Sequence, residues 1–132
     1  MVGDLRDPLT STIIGAAIKV HRRLGPGLLE STYEQCLAWE LMKRRLRVHR
    51  QLPIPIRYED FVVREAYRLD LVVEQRVVIE VKAVEKLHPV HEAQLLTYLK
   101  LSGYPVGLLF NFHELALRNS LKRLVVSPGL VP

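Results

Sequence analysis

The sequence predicts a single α/β domain in which a mixed β-sheet is flanked by helices. The chain has 132 residues, which is the size of one domain with one hydrophobic core. Helical and strand-type segments follow one another in the order helix, helix, three strands, helix, strand and a final short element. A helix between two strands implies a crossover connection, so the sheet should contain parallel and antiparallel pairs and be covered on both faces.

Two helices are predicted in the first third of the chain. The first begins at Asp7, a favoured N-cap residue that is followed by proline, and it ends at Gly25. The second runs from about Leu28 to Leu46, where apolar residues recur at helical spacing, and its C-terminal end is basic.

Three strand-type segments follow the second helix. They lie at Gln51–Tyr58, Phe61–Val73 and Arg76–Val84 and are rich in β-branched residues. Pro53 and Pro55 place the first of these strands at the edge of the sheet, because proline has no N–H to donate to a neighbouring strand.

A third helix and a last apolar strand complete the predicted domain. The helix is expected at Pro89–Ser102 and the strand at Pro105–Phe112. Leu121–Val126 is a short strand or a helix end. We therefore expect one domain over residues 1–126 and a frayed C-terminal tail over residues 127–132.

The composition of the chain excludes several classes of protein and one kind of metal site. Hydrophobic residues make up 48% of the chain, but no apolar run approaches the roughly 18 residues of a membrane span. The N-terminus lacks the pattern of a secretion signal, so we expect an intracellular, cytoplasmic protein that does not enter a membrane. Cys36 is the only cysteine, which leaves oxygen ligands to hold any metal. The net charge of +5 permits an anionic partner.

Three charged residues interrupt the apolar stretch RLDLVVEQRVVIEVKAV. Asp70 lies in one predicted strand, and Glu80 and Lys82 lie in the next, where strand alternation puts them on the same face. An unpaired charge inside a buried strand is costly, so this pattern requires an explanation. It indicates either a functional site or a plain Glu–Lys ion pair with Asp70 in a solvated turn.

The length of the intervening turn decides where Asp70 points. A two-residue turn would pair Asp70 with Ile79 and send its side chain to the opposite face. A three-residue turn over Glu74–Arg76 would pair Asp70 with Glu80 instead. Two adjacent carboxylates would then need a cation, for which Mg²⁺ is suited, and Lys82 could stabilise the charge that develops during phosphoryl transfer.

Two segments of the chain resemble a known family. LDLVVEQRVVIEVKAV is similar to the metal-site hairpin of the PD-(D/E)xK nuclease superfamily, although Leu69 stands where its name has proline. LGPGLLESTYE resembles the signature of the GxxExxY proteins assigned to that superfamily, with Gly27, Glu30 and Tyr33 in the motif positions. The resemblance extends from Ile13 to Val126. It implies a restriction-endonuclease-like fold and a nuclease that uses Mg²⁺, or Mn²⁺ in its place, to hydrolyse nucleic acid, with DNA the expected substrate.

The same resemblance implies five catalytic residues. Asp70, Glu80 and Lys82 match the core motif, Glu30 matches a helical glutamate beside the metal, and Gln94 matches the first position of a QxxxY motif. Asp70, Glu80 and Glu30 would be the metal ligands. Glu30 has a second explanation, because a carboxylate in the first turn of a helix can simply cap free amides.

Substrate contacts are expected from two tyrosines and from the basic end of the second helix. Tyr33 and Tyr98 occupy motif positions, although packing alone would also explain Tyr98. Arg44, Arg45 and Arg47 could contact phosphates, but they could equally form a solvated helix end that complements the helix dipole.

Two other classes of function remain open at this point. The same domain could bind nucleic acid or a protein partner as a regulatory module without cutting, or it could be a structural subunit of an oligomer. A nuclease this small that cuts both strands of a duplex could also act as a homodimer.

Overall fold

The computed structural model describes residues 7–126, which form three α-helices and a five-stranded sheet. The predicted tail, 127–132, lies outside the described residues. The helices are α1 (Pro8–Leu24), α2 (Glu30–Lys43) and α3 (Pro89–Ser102), and a short 3-10 helix spans Leu117–Ser120. The strands are β1 (Val48–Tyr58), β2 (Phe61–Val73), β3 (Val77–Lys82), β4 (Val106–Asn111) and β5 (Lys122–Val125). This is the predicted α/β class, and the last short element is a strand.

The sheet is mixed, with the strands in the order β1-β2-β3-β4-β5. β3 and β4 are parallel and are joined through α3, whereas the other neighbouring pairs are antiparallel. This is a restriction-endonuclease-like arrangement. Within 7–126, no helix is both long and apolar enough to cross a membrane.

Helices cover both faces of the sheet, and β3 is buried between them. Val77, Ile79 and Val81 belong to the core that α1 and α2 form on one face. Val78 belongs to a second core, which includes Leu95 of α3 on the other face. A charged side chain on β3 therefore faces either the α1 and α2 layer or α3, depending on its position in the strand.

α2 is shorter than the predicted helix. It begins at Glu30 and ends at Lys43, because Arg45 adopts a left-handed conformation with φ 65°. The N–H of Leu46 then bonds back to the carbonyl of Leu41 at 3.2 Å, which closes the helix end. The next strand can consequently begin at Val48, three residues earlier than predicted.

β1 is one of the two edge strands of the sheet, as its two prolines predict. It forms a long hairpin with β2, and the register shifts between Ile54 and Ile56. β2 pairs with β3 over a much shorter stretch, from Leu71 to Val73.

The turn between β2 and β3 has three residues, which confirms the longer of the two alternatives. Val73 pairs with Val77, and the N–H of Arg76 donates to the carbonyl of Val73 at 3.0 Å. Glu74 and Gln75 have φ values of 52° and 54°, the left-handed conformation that a tight turn of this length uses. This register directs Asp70 towards Glu80.

Candidate active site

Asp70 lies at the point where β2 separates from β3. The last pair of the ladder is Leu71 with Ile79, one position before Asp70 and Glu80 would pair. In place of ladder bonds, the Asp70 N–H donates to Glu80 Oε1 at 3.3 Å, and the Val81 N–H donates to Asp70 Oδ2 at 2.9 Å. Separation of the strands thus makes room for two carboxyl groups side by side, and these carboxyl groups satisfy the two N–H donors.

Glu80 and Lys82 both lie on the face of β3 that α3 covers. Lys82 Nζ donates to Gln94 Oε1 of α3 at 3.4 Å, so the amide holds the ammonium group beside the carboxyls. Both the lysine and the glutamine are half-buried. The structure therefore brings together four of the five predicted catalytic residues, namely Asp70, Glu80, Lys82 and Gln94.

Tyr98 lies one turn further along α3, beside the two carboxyl groups. Burial raises the pKa of its hydroxyl, and the negative charges of Glu80 and Asp70 raise it further. Its ring stacks on Tyr67 of β2, with the ring centres 4.3 Å apart and the planes inclined by 13°. Burial raises the pKa of Tyr67 to about 12, and Tyr98 adds to that shift. The two aromatic rings form a wall of the site, and the sequence analysis missed Tyr67.

The two carboxyl groups cannot both ionise easily. Glu80 is only 4% exposed, and its burial, followed by the negative charge of Asp70, raises its pKa to about 9. Burial also raises the pKa of Asp70. The Val81 N–H that donates to Asp70 counteracts the rise in the pKa of that carboxyl group, so Glu80 is the partner that keeps the proton. Lys82 offsets part of the repulsion in both cases.

A divalent cation fits this pair of side chains. Carboxylate oxygens are the ligands that Mg²⁺ favours, and a cation would remove the repulsion that otherwise forces one carboxyl group to stay protonated. The two carboxyl groups would be the protein's share of the ligands, because the described part of the chain contains no group of three or more His, Cys, Asp or Glu residues that could hold a metal.

Glu30 does not join the pair, although it was predicted to be the third ligand. Its carboxylate accepts a hydrogen bond from the Ala83 N–H at 3.0 Å. This backbone contact, rather than a contact with Asp70 or Glu80, is the one that the Glu30 carboxylate makes in the structure. Glu30 instead ties the start of α2 to the residue that follows Lys82.

Tyr33 is a core residue, so the prediction that it contacts substrate is wrong. Its side chain is 0% exposed and stacks on Phe112, with the ring centres 4.6 Å apart. Its hydroxyl donates to the carbonyl of Gly25 and accepts from the Leu28 N–H at 3.1 Å. Tyr33 therefore fastens the loop between α1 and α2.

The predicted arginine cluster lies at the other end of the sheet from Lys82. α2 has 14 residues, so its C-terminal end is about 20 Å from Glu30 at 1.5 Å per residue. Arg44 pairs with the buried Glu40 at 3.2 Å, and Arg47 pairs with Glu74 in the β2–β3 turn at 3.5 Å. Arg45 is exposed between them.

Two further residues connect α2 and β1 to Asp70, and the sequence analysis missed both. The Gln51 side-chain amide donates to Glu34 and also to Asp70 Oδ1, the latter at 3.4 Å. Glu34 is 4% exposed and pairs with Arg50 at 3.0 Å. Glu34 could have been found, because it follows Glu30 by four residues and so shares its helix face. No comparable spacing in the sequence indicated that Gln51 would contact Asp70.

Comparison with known proteins identifies the family of this chain. A family model described as the PD-(D/E)XK nuclease superfamily matches residues 7–124, nearly the whole chain. No curated protein and no solved structure matches this chain. The matched range contains the Asp70, Glu80 and Lys82 cluster. The chain belongs to the PD-(D/E)XK nuclease superfamily.

Proposed function

We propose that this protein is a metal-dependent nuclease that hydrolyses phosphodiester bonds of nucleic acid, with DNA as its substrate. The observation that carries the proposal is the side-by-side arrangement of Asp70 and Glu80, with Lys82 on the same face of β3. Nucleases of this superfamily generally use divalent metals such as Mg²⁺. We propose Mg²⁺ as the ion, with Mn²⁺ as a substitute.

Asp70 and Glu80 are the residues that would hold the ion. When bound, Mg²⁺ supplies positive charge that neutralises phosphate oxygens as negative charge develops on them. Glu80 must first release the proton that burial and the Asp70 charge make it retain. The burial of Glu80 and the half-buried position of Asp70 favour this exchange, because electrostatic attraction is stronger where water is partly excluded.

Lys82 would stabilise the transition state, and Gln94 would position Lys82. The lysine ammonium group carries charge but is no metal ligand, so its contribution should be to the rate rather than to metal binding. The 3.4 Å contact with Gln94 limits the positions that the flexible lysine side chain can adopt. Fixing a charged group before the reaction begins is what makes such stabilisation effective.

The tyrosine wall would contact the substrate next to the scissile bond. Tyr98 is half-buried, lies close enough to both carboxyl groups for their charges to raise its pKa, and stacks on Tyr67. Its partly exposed ring could pack against a sugar or an unpaired base. The exposed Arg45 would contact phosphates of a more distant part of the same nucleic acid.

A cleavage panel tests this proposal. Single-stranded, double-stranded and branched DNA and the corresponding RNAs are incubated with the protein in Mg²⁺, Mn²⁺ or a chelator. The parent should cut at least one DNA form only when a divalent ion is present, and Asp70→Asn should not cut. Asp60→Asn, which changes an exposed aspartate in the β1–β2 loop, is the matched control and should cut like the parent.

The alternative is a binding module on the same fold. In that case the parent would hold nucleic acid without cutting it in any metal. Asp70→Asn would then bind as well as the parent or better, because removing a carboxylate reduces repulsion of phosphate. That pair of results would reject the nuclease proposal.

A further inference from the structure

We infer that Gln51 is a positioning residue that, anchored by Glu34, holds the Asp70 carboxylate in the orientation that binds the metal ion. The inference rests on the proposed function, since it assigns a role towards the same ion. Three observations support this role: the backbone conformation of Gln51, the two contacts of the Gln51 amide and the burial of Glu34.

The backbone places Gln51 in an unusual conformation next to Asp70. Gln51 has φ 51°, a left-handed value that residues with side chains adopt at a cost. The β1–β2 register pairs Arg50 with Leu71 and Leu52 with Leu69 but passes over Gln51 and Asp70 between them. The ladder is therefore interrupted at Asp70 on the β1 side, as it is on the β3 side.

The side chain of Gln51 bridges two carboxylates. Its Nε2 donates to Glu34 Oε1 and lies 3.4 Å from Asp70 Oδ1. An ionised carboxylate only accepts hydrogen bonds, so the NH₂ end of the amide must face both partners. One amide group thus connects the candidate metal ligand to α2.

Glu34 fixes the far end of this bridge. It is 4% exposed, and its carboxylate also accepts from Arg50, with Nη2 at 3.0 Å and Nε at 3.3 Å. A buried carboxylate with several donors has little freedom to move. Gln51 is therefore held from the α2 side and directed at Asp70.

These contacts determine which way the Asp70 carboxylate faces. The Val81 N–H holds Oδ2 at 2.9 Å, and the Gln51 amide approaches Oδ1. Two donors on two different oxygens define the plane of the carboxylate, whereas one donor would leave it free to rotate about its Cβ–Cγ bond. Loss of such an orienting partner typically weakens metal binding by roughly tenfold or more.

Gln51→Gly is the variant that separates positioning from folding. Glycine removes the amide and also relieves the left-handed backbone, so the fold should be kept. Gln75→Gly is the matched control, because Gln75 is an exposed glutamine with φ 54° in the β2–β3 turn. Both variants should unfold at the parent temperature or above it in metal-free buffer.

Calorimetric titration with Mg²⁺ and Mn²⁺ provides the decisive measurement. We expect Gln51→Gly to bind the ion about tenfold more weakly than the parent and Gln75→Gly to bind it like the parent. In cleavage assays, the metal concentration that gives half the maximal rate should rise by the same factor. The rate at saturating metal should stay close to that of the parent, since the ligand itself is retained.

A second variant tests the anchoring role of Glu34. Glu34→Ala should weaken metal binding, but combining it with Gln51→Gly should add no further loss, because Glu34 acts through Gln51. If Gln51→Gly does not fold, Gln51→Asn replaces it. Asparagine tolerates the left-handed conformation but is one methylene too short to bridge the two carboxylates.

The outcomes distinguish this inference from the proposed function. If the parent binds the ion and Gln51→Gly binds it equally well, Gln51 has no positioning role and the nuclease proposal is unaffected. If the parent binds neither Mg²⁺ nor Mn²⁺, the proposed function and this inference both fail.

Discussion

The backbone N–H of Asp70 donates to the Glu80 side chain at 3.3 Å, and the negative charge of Asp70 helps to raise the pKa of Glu80. Each residue therefore sets the electrostatic state of the other. Without a cation, Glu80 keeps a proton and Asp70 carries the charge. With a cation, both can be ionised.

Stability of the metal-free protein should decrease as the pH rises. The pKa of Glu80 is about 9 in the folded protein, against an ordinary value of 4.5. Between these two values the folded state holds a proton that the unfolded state has released, so the free energy of unfolding falls with rising pH. Urea unfolding from pH 5 to pH 9 in a chelating buffer, within the range of these two values, measures this slope.

Glu80→Gln removes the titrating group and should flatten that slope. The variant should also be more stable than the parent at the alkaline end, because no buried charge is then formed. Glu85→Gln, a change at an exposed glutamate, is the control and should keep the slope of the parent. An equal slope in Glu80→Gln would assign the pH dependence to other groups.

Removing either carboxylate should abolish stabilisation by divalent metal. Asp70→Asn and Glu80→Gln keep the side-chain size but take one charge from the pair, so the ion loses a ligand. Thermal unfolding with and without Mg²⁺ reports binding, because a ligand that binds only the folded state raises its stability. The parent should show a metal-dependent rise that both variants lack. A rise that persists in both would place the ion elsewhere.

Lys82→Met should slow cleavage without weakening metal binding. Lys82 is no metal ligand, but its charge would stabilise the transition state by about 3 kcal/mol, which corresponds to roughly a hundredfold in rate. Single-turnover cleavage and metal titration measure the two effects separately. Lys86→Met, at an exposed position four residues later, is the control. If Lys82→Met cuts as fast as the parent, this role for the lysine is incorrect.

Arg45→Gln should weaken binding of nucleic acid irrespective of sequence. Arg45 is exposed, whereas Arg44 and Arg47 are engaged by Glu40 and Glu74. Loss of one phosphate contact should lower the slope of log affinity against log salt by about 1. Arg118→Gln removes the same charge from an exposed site on the 3-10 helix and controls for net charge. If the slopes of log affinity against log salt are equal for the two variants, the C-terminal end of α2 is an ordinary solvated surface.

Tyr33→Phe should lower stability and leave metal binding unchanged. The substitution removes the hydroxyl that bonds to the Gly25 carbonyl and the Leu28 N–H, which costs about 1 kcal/mol in the free energy of unfolding. Urea unfolding measures the loss, and calorimetry with Mg²⁺ provides the comparison. A selective loss of substrate or metal binding would instead show that Tyr33 contributes to the site.

Local signals predicted much of the fold. α3 spans the predicted residues, from Pro89 to Ser102, because a proline at its start and Gly103 after its end act within one turn of chain. The end of α2 was predicted too late, at Leu46. Basic and apolar residues continue past Lys43, and only the left-handed Arg45 ends the helix.

The cluster of Asp70, Glu80 and Lys82 could also be predicted from the sequence, whereas the remaining contacts could not. Glu80 and Lys82 share a face through strand alternation, and the three-residue turn brings Asp70 to them. The sequence motif gave no means of telling that Tyr33 is buried. Nor did it reveal that Glu30 accepts from the Ala83 N–H or that Gln51 reaches Asp70.

By itself, the sequence determined the class of fold, the order of its elements and the charged residues of the central hairpin, because periodicity and turn length act between near neighbours in the chain. Only the tertiary structure decided which helix covers which face of the sheet, and hence that Gln94 meets Lys82 while Glu30 meets Ala83. It also decided that β3 stops pairing with β2 at Asp70 and that the β1–β2 pairing skips Asp70 before it resumes at Leu69. These contacts join residues far apart in the chain, and packing rather than local preference sets their geometry.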